Sequence, residues 1–352
     1  MYYSLSLQLC NRLLSNAQRR PFLVGSAFYA SCYAAGNRRF VRTVTFPRSA
    51  VNNSSAPMNQ PQRRHFSAKT GVSFTETSSL DDHITETQHH LLPCLRDDPS
   101  NYGRILLLDD FSTVDGHGIR FLVFLQGCHY RCVFCCNPES WELQYGTVTH
   151  ISEIMDKIKR CLPYLRATKG GITVSGGDPL VQPDFVANLF RKARELDLST
   201  ALDTAGYSSK QGLEANQVAW SKVLPLTDHV MMCIKHPTKE GYKRVSQGPD
   251  DCWEISRHFL TEVRARSIPL TIRYVLLPGY TDSAEDLRRL VEIAREQPSF
   301  REIELLPYHK LGKYKYDALK LPYPLGDTPR PSKEQINATI RYLEQAGLAV
   351  LC

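Results

Sequence analysis

No aspartate or glutamate occurs before Glu76 in this chain of 352 residues, although the same stretch holds nine arginines and one lysine. Acid-free, arginine-rich and serine-rich, residues 1–75 read as a disordered organellar transit peptide rather than a folded element. Of the formal net charge of +7 this segment contributes +10, so the remainder carries −3. The basic balance is a property of the amino-terminal arm and leaves no case for a nucleic-acid partner. Long apolar runs are missing too. Residues 21–37 are uncharged, but Gly25, Ser26, Ser31 and Gly36 interrupt them, and the run falls short of the roughly 20 apolar residues that span a bilayer. No membrane partner is expected. Paired cysteines in the manner of a disulfide framework are absent as well: the count is 11, odd, and clustered rather than spread.

That cluster is the most informative feature present. Cys128, Cys132 and Cys135 lie within the run Gly127-Cys-His-Tyr-Arg-Cys-Val-Phe-Cys-Cys-Asn137. Three thiolates so close can grip three irons of a cubane iron–sulfur cluster and leave the fourth iron open to a small molecule. An open metal position is what makes a metal site catalytic rather than structural. The alternative reading is half of a structural zinc site, but no second Cys-x2-Cys or His-x3-His follows downstream to complete it. Cys136 is a fourth ligand on paper only, because it would have to fold back onto the metal that its neighbour Cys135 holds.

Residues 76–102 show neither helical nor alternating periodicity and read as a polar lead-in. From Gly103 the pattern changes. Apolar runs at Ile119–Leu125, Ile172–Ser175, Ser199–Asp203, His229–Ile234, Leu270–Leu277 and Glu302–Leu306 alternate with helix-period stretches, as a parallel sheet of βα units requires. Ile151, Ile154, Met155, Ile158 and Leu162 share one helical face, as do Phe185, Leu189, Phe190, Ala193 and Leu196. Thr281-Asp282 is read as one helix start and Ser332-Lys-Glu-Gln335 as a capping box opening the last helix. Six strands with crossover helices predict an α/β fold, a partial and open (β/α)6 barrel over residues 103–352. Two more units would be needed for a full barrel of eight.

The polar residues cluster at strand ends. The cysteine loop follows the first strand, Ser175-Gly176-Gly177-Asp178-Pro179 the second, Asp203-Thr204 ends the third and Lys235 follows the fourth. Arg273 lies within the fifth, and Leu306-Pro-Tyr-His309 closes the sixth. Singly, Asp203 could cap a turn, Lys235 could be a solvated loop end and His309 a satisfied structural histidine. Together on one rim, where barrel loops converge, they point to one shared site.

These residues carry a resemblance. The Cys-x3-Cys-x2-Cys loop, the Gly-Gly-Asp-Pro turn and the barrel order resemble radical S-adenosylmethionine enzymes. Thr113-Val-Asp-Gly-His-Gly-Ile-Arg120, Gln126-Gly-Cys128, Ala201-Leu-Asp-Thr-Ala-Gly206, Ile272-Arg-Tyr-Val-Leu-Leu-Pro-Gly279 and Glu304-Leu-Leu-Pro-Tyr-His-Lys-Leu-Gly-Lys-Tyr314 are similar, more narrowly, to the pyruvate formate-lyase activating family. Only 40 residues separate Cys135 from Gly176, with Cys136 and Cys161 the only cysteines among them, whereas related activases with additional clusters carry cysteine-rich insertions there. The resemblance implies that Cys128, Cys132 and Cys135 hold a [4Fe–4S] cluster whose open iron takes the amino and carboxylate groups of S-adenosylmethionine. Gly176 and Gly177 would let backbone approach its methionine end. Asp178 would accept from its ammonium, Arg273 and Lys235 would face its carboxylate or ribose, and His309 would border the nucleoside. Phe134 and Cys136 would line the same pocket, Asp203 and Thr204 with Cys233 would bear on a monovalent cation, and Asp115 would meet the substrate peptide. The implied partners are a glycyl-radical enzyme, pyruvate formate-lyase first, and an electron donor of flavodoxin or ferredoxin type.

Three positions depart from the family pattern. Asp178 stands where glutamate is usual, Cys136 where histidine follows the third cysteine, and Cys233 where aspartate is common. A function of another class, a catalytically silent iron–sulfur binding module, therefore stays beside the enzyme reading. The rim residues favour the enzyme. Arg63-Arg64-His65-Phe66-Ser67 places arginine two and three residues before Ser67, which resembles a mitochondrial processing site, with a plastid the second destination and a plain basic arm the competing reading. Amino-terminal sequencing of protein isolated from its host is expected to find a mature end close to Ser67; a full-length product would refute the transit reading.

Overall fold

The chain opens on a strand that the apolar runs do not single out. In the computed structural model, which describes residues 97–352, β1 (Tyr102–Ser112) turns back into β2 (Arg120–Leu125), and β3 (Thr147–His150) pairs with the other edge of β1, both antiparallel. The transit-peptide expectation and the lead-in up to residue 96 lie outside the described residues. Strand and helix then alternate through α1 (Ile151–Ala167), β4 (Gly171–Gly176), α2 (Pro183–Arg194), β5 (Ser199–Thr204), α3 (Leu213–Val223) and β6 (His229–Cys233). Two helices, α4 (Lys239–Ser246) and α5 (Cys252–Ala265), precede β7 (Leu270–Leu276), followed by α6 (Ala284–Arg295), β8 (Phe300–Pro307), α7 (Lys313–Leu319), α8 (Lys333–Gln345) and β9 (Val350–Leu351). One nine-stranded sheet results, in the order β3-β1-β2-β4-β5-β6-β7-β8-β9, parallel from β2 onward. Its two edges do not pair, so the barrel is open. The six expected strands are β2 and β4 to β8. The three additions escape a search for apolar runs because β1 carries an acidic pair and is half exposed, β3 is a short edge strand, and β9 is two residues long.

Parallel strands usually read as continuous apolar runs because both faces are covered. Here the period of two divides the faces sharply. Phe121, Val123, Leu125, Ile172, Val174, Leu202, Val230, Met232, Ile272, Tyr274, Ile303 and Leu305 are buried in one apolar core with the helices. That core takes Ile151, Ile154, Met155 and Ile158 from α1 and Phe185, Leu189, Phe190 and Ala193 from α2. In register on the opposite face are Arg120, Thr173, Ser175, Asp203, His229, Cys233, Thr271, Arg273, Glu302 and Glu304. They bond to one another across the strands: Ser175 to Asp203, His229 to Thr271, Thr271 to Glu302 and Arg273 to Glu304. The inside of the open barrel is thus a polar lumen.

Helix starts follow their caps. Ser332 and Gln335 form the reciprocal capping box at α8. The start expected at Thr281-Asp282 is displaced to Ser283, whose side chain accepts from Asp286 N. Thr281 is buried instead, accepting from Leu277 N at 2.8 Å and donating to Val275 O at 2.7 Å, so it shapes the turn after β7. Ser332→Ala is expected to lower stability by about 1 kcal/mol, read from the denaturant midpoint; an unchanged midpoint would show that the box contributes nothing.

Candidate active site

The cysteine loop leaves β2 and is tied down through its backbone. Gly127 N and Cys128 N donate to Ser140 O and Trp141 O, Arg131 N and Val133 N donate to Ser246 O and Val245 O at the end of α4, and Cys135 N donates to Cys132 O. Cys132 is buried and Cys128 and Cys135 are partly so. Burial pushes the Cys128 thiol up to about 12 and raises Cys132 and Cys135 as well. Such thiols ionise only when a metal compensates them. Among the described residues, no three His, Cys, Asp or Glu side chains converge where one ion would lie. Thiols spread along one loop suit the corners of a cubane.

A cation stands among these thiols. Lys235, just past β6, lies 5.9 Å over the Phe134 ring. Burial works against its charge, yet Cys233 and Cys132 outweigh that and hold the proton well above the ordinary lysine range. An ammonium with thiols for neighbours fits an anionic thiolate-bound cluster. Cys136 turns elsewhere: its sulfur lies 3.7 Å from Phe134 O and 3.9 Å from His309 Nε2, and burial pushes it up to about 12. Burial and Arg330 lower His309.

The Gly-Gly-Asp turn grips the cysteine loop. Gly177 N donates to Leu125 O at 2.9 Å and Asp178 N to Gly127 O at 2.8 Å. A Cβ at Gly176, where φ is +122°, or at Gly177 would come 2.2 Å from Leu125 O or Gly127 O respectively. The chain itself needs both glycines, whatever else approaches them. The Asp178 carboxylate is buried and accepts from Thr204 Oγ1 at 2.7 Å, Ala205 N at 2.9 Å and Leu180 N at 3.1 Å. The short side chain caps its own turn and pulls in the end of β5. Burial, against those three donors and Lys235, pushes it up to about 6.

Asp203 and Thr204 are separated by the strand period. Asp203 faces the lumen, where Oδ2 accepts from Ser175 Oγ at 2.7 Å and Arg273 Nη1 at 2.8 Å; Thr204 faces away and donates to Asp178. The two side chains thus point to opposite faces of the strand, and the positive charge beside Asp203 is Arg273. That arginine is corrected in turn. It is not a free charge for a ligand but binds Asp203, Asp115 at 3.1 Å and Glu304 at 2.6 Å, and it also reaches Val114 O. Burial opposes its charge, but the three carboxylates outweigh burial and raise it above a free guanidinium; Glu304 is raised by burial against Arg273. Asp115 also accepts from Ser112 Oγ at 2.6 Å, so the loop between β1 and β2 reaches the lumen. Cys233 pairs in register with Arg273. The lumen face with this loop holds Asp115, Asp203, Glu302 and Glu304 against Arg120 and Arg273. A surplus of carboxylates suits a sulfonium whose net charge is positive.

Residues to which the sequence reading gave no role complete the site. Glu304 and Ser175 order the lumen charges. Tyr316 donates to Cys135 O at 3.2 Å, and Lys315 reaches Asn137 and Glu139 at 2.7 and 2.5 Å. Glu304 and Ser175 lay within quoted motifs without a role of their own, whereas Lys315 and Tyr316 bridge segments more than 100 residues apart and left no local signal.

The chain matches the Radical SAM superfamily over residues 122–291. It is 36% identical over 247 residues to the pyruvate formate-lyase-activating enzyme of Clostridium pasteurianum, covering 69% of this chain and 98% of that one. The enzyme of the same name from Staphylococcus aureus (strain USA300) is 34% identical over 249 residues, covering 70% and 96%. Among solved structures, a domain of pyruvate-formate lyase-activating enzyme from Bacteroides vulgatus matches at TM-score 0.41 and 21% identity, covering 52% of this chain and 98% of that one. A radical SAM methyltransferase from Sphaerobacter thermophilus matches at TM-score 0.46 and 16% identity, covering 76% and 81%.

Replacing Cys128, Cys132 or Cys135 with alanine is expected to strip iron and sulfide from the reconstituted protein, whereas Cys136→Ala keeps them; equal loss in Cys136→Ala would mean a different ligand set. Asp178 yields a pH test. Its folded carboxyl titrates higher than the ordinary value of 3.8, so its contribution to stability is fully present below that value and is lost as pH rises through about 6. The stability advantage of the native protein over Asp178→Asn should therefore shrink between pH 5 and pH 7. A constant difference in denaturant midpoints would show that Asp178 is not perturbed.

Proposed function

The chain belongs to the Radical SAM superfamily, in the family of the pyruvate formate-lyase-activating enzymes, and on that footing we propose that it installs the glycyl radical of pyruvate formate-lyase under anaerobic conditions. Family membership makes it a radical S-adenosylmethionine oxidoreductase with a [4Fe–4S] cluster, S-adenosylmethionine and a glycyl-radical enzyme as partner. The observation that supports the finer reading is the three-cysteine loop directly after β2, at the end of a sheet whose inner face carries Asp203, Arg273 and Glu304.

When bound, the cluster and S-adenosylmethionine supply a one-electron cleavage of the sulfonium that yields methionine and a radical able to remove a glycine α-hydrogen. Cys128, Cys132 and Cys135 would hold the cluster, and Lys235 and Phe134 would balance and shield its charge. Gly176, Gly177 and Asp178 position the cysteine loop rather than touch the ligand. Arg273 binds Asp115 and Asp203 and holds them at the lumen, where Asp115 would meet the partner's glycine segment. His309 and Cys136 would close the pocket on the carboxyl-terminal side and keep water from the radical. The reducing electron would come from a flavodoxin- or ferredoxin-type donor. We further propose that residues 1–75 direct the protein to the mitochondrion and that the catalytic domain spans 103–352.

The deciding experiment incubates the reconstituted protein, S-adenosylmethionine and a reductant with pyruvate formate-lyase in the absence of oxygen. Electron paramagnetic resonance is expected to show a glycyl radical on the partner. 5′-Deoxyadenosine formed without that signal would point to another glycyl-radical enzyme, and no 5′-deoxyadenosine at all would leave a silent iron–sulfur module.

A further inference from the structure

The cysteine loop is thinly covered at one place. Gly312 lies against it so closely that a Cβ there would come 2.8 Å from Cys136 Cα. One residue earlier, Leu311 is 57% exposed, and Tyr314, two residues on, is 62% exposed. Tyr316, in the same short helix α7, donates to Cys135 O. A single thickness of chain therefore separates the backbone of Cys135 and Cys136 from this outer face.

The face has a distinct charge. Lys310, Lys313, Lys315 and Lys320 stand against Asp317 between residues 309 and 320, in a chain that is net acidic beyond residue 75. Lys315 is engaged inward by Glu139 and Lys313 pairs with Asp317 at 3.5 Å, while Lys313 and Lys320 remain exposed around Tyr314 and Leu319, leaving the face net positive. Exposed aromatic and aliphatic anchors rimmed by charge of one sign are the makings of a protein interface that is steered electrostatically.

We propose that residues 310–320 form the docking face for an acidic one-electron carrier protein, of the flavodoxin or ferredoxin kind, and that the reducing electron enters here. The inference rests on the radical-enzyme reading above. Electron transfer falls steeply with the thickness of protein crossed, and at the Gly312 contact that thickness is a single layer of chain. The carrier loses one electron and the iron–sulfur site gains it, with no bond made and no proton moved. A glycyl-radical enzyme has a different requirement: its glycine must reach the lumen at Asp115, whereas a carrier has only to come near.

The test uses full-length reconstituted protein carrying Lys310→Glu, Lys313→Glu and Lys320→Glu together, with oxidised flavodoxin as the probe. Titration calorimetry at low ionic strength is expected to show binding weakened at least about tenfold, a loss of roughly 1.4 kcal/mol, and native affinity should fall as salt is added. Tyr314→Ala, which leaves the charges alone, should weaken the same binding. Dithionite-driven formation of 5′-deoxyadenosine should be unchanged in both variants, which also shows that they are folded. Unaltered flavodoxin binding in both variants would overturn the proposal. So would intact flavodoxin binding with impaired dithionite-driven radical formation on the partner, which would give this face to the glycyl-radical enzyme. Absence of dithionite-driven cleavage in the native protein would sink the functional reading instead, while the binding measurement still decides the docking face.

Discussion

Two stretches of backbone touch where the turn after β4 meets the loop after β2, and the site depends on that contact. Gly176 and Gly177 leave no room for side chains because Leu125 O and Gly127 O occupy the space a Cβ would need. The hydrogen bonds from Gly177 N and Asp178 N then fix the start of the cysteine loop relative to the second parallel strand. Asp178 extends the contact to β5 through Thr204 and Ala205. Three neighbouring strand ends are locked together before any cysteine is reached. A buried carboxylate that satisfies three donors is costly to ionise yet costly to leave out, since each donor would then be buried without a partner.

The sheet beneath divides two tasks between its faces. Its apolar face joins the helices in one core. The opposite face mixes apolar residues such as Leu122, Phe124 and Met231 with charged and hydroxyl residues, and the polar ones are tolerable there because they pair across strands. Arg273 is the centre of that pairing: one guanidinium with five donors serves three carboxylates and a carbonyl. Without it, the carboxylates of Asp115, Asp203 and Glu304 would lose their shared cationic partner. Charge in the lumen is organised by a residue that is itself saturated, and the ammonium of Lys235 is set apart among the thiols.

The carboxyl-terminal segment adds the outer wall. Gly312, Lys315 and Tyr316 tie the end of the fold to the loop that follows its second strand. The cysteine loop is thereby supported from both sides, by α4 through Ser246 O and Val245 O and by this wall.

The six parallel strands, the core faces of α1 and α2, the α8 capping box and the three-cysteine loop were all legible in order and spacing, because each depends on residues near one another along the chain. Alternation also separates Asp203 from Thr204, yet the strand end hid which of the two would face the lumen. The helix start near Thr281 was misplaced because a buried threonine bonding across its own turn resembles a cap in sequence. The sequence by itself determined the metal-binding chemistry and the α/β order, since cysteine spacing and strand periodicity are local properties. Only the tertiary structure decided that Asp178 turns inward, that Arg273 is already shared among three carboxylates and that Gly312 covers the cysteine loop. Those outcomes depend on which distant strands and loops become neighbours, and no pattern along the chain records that.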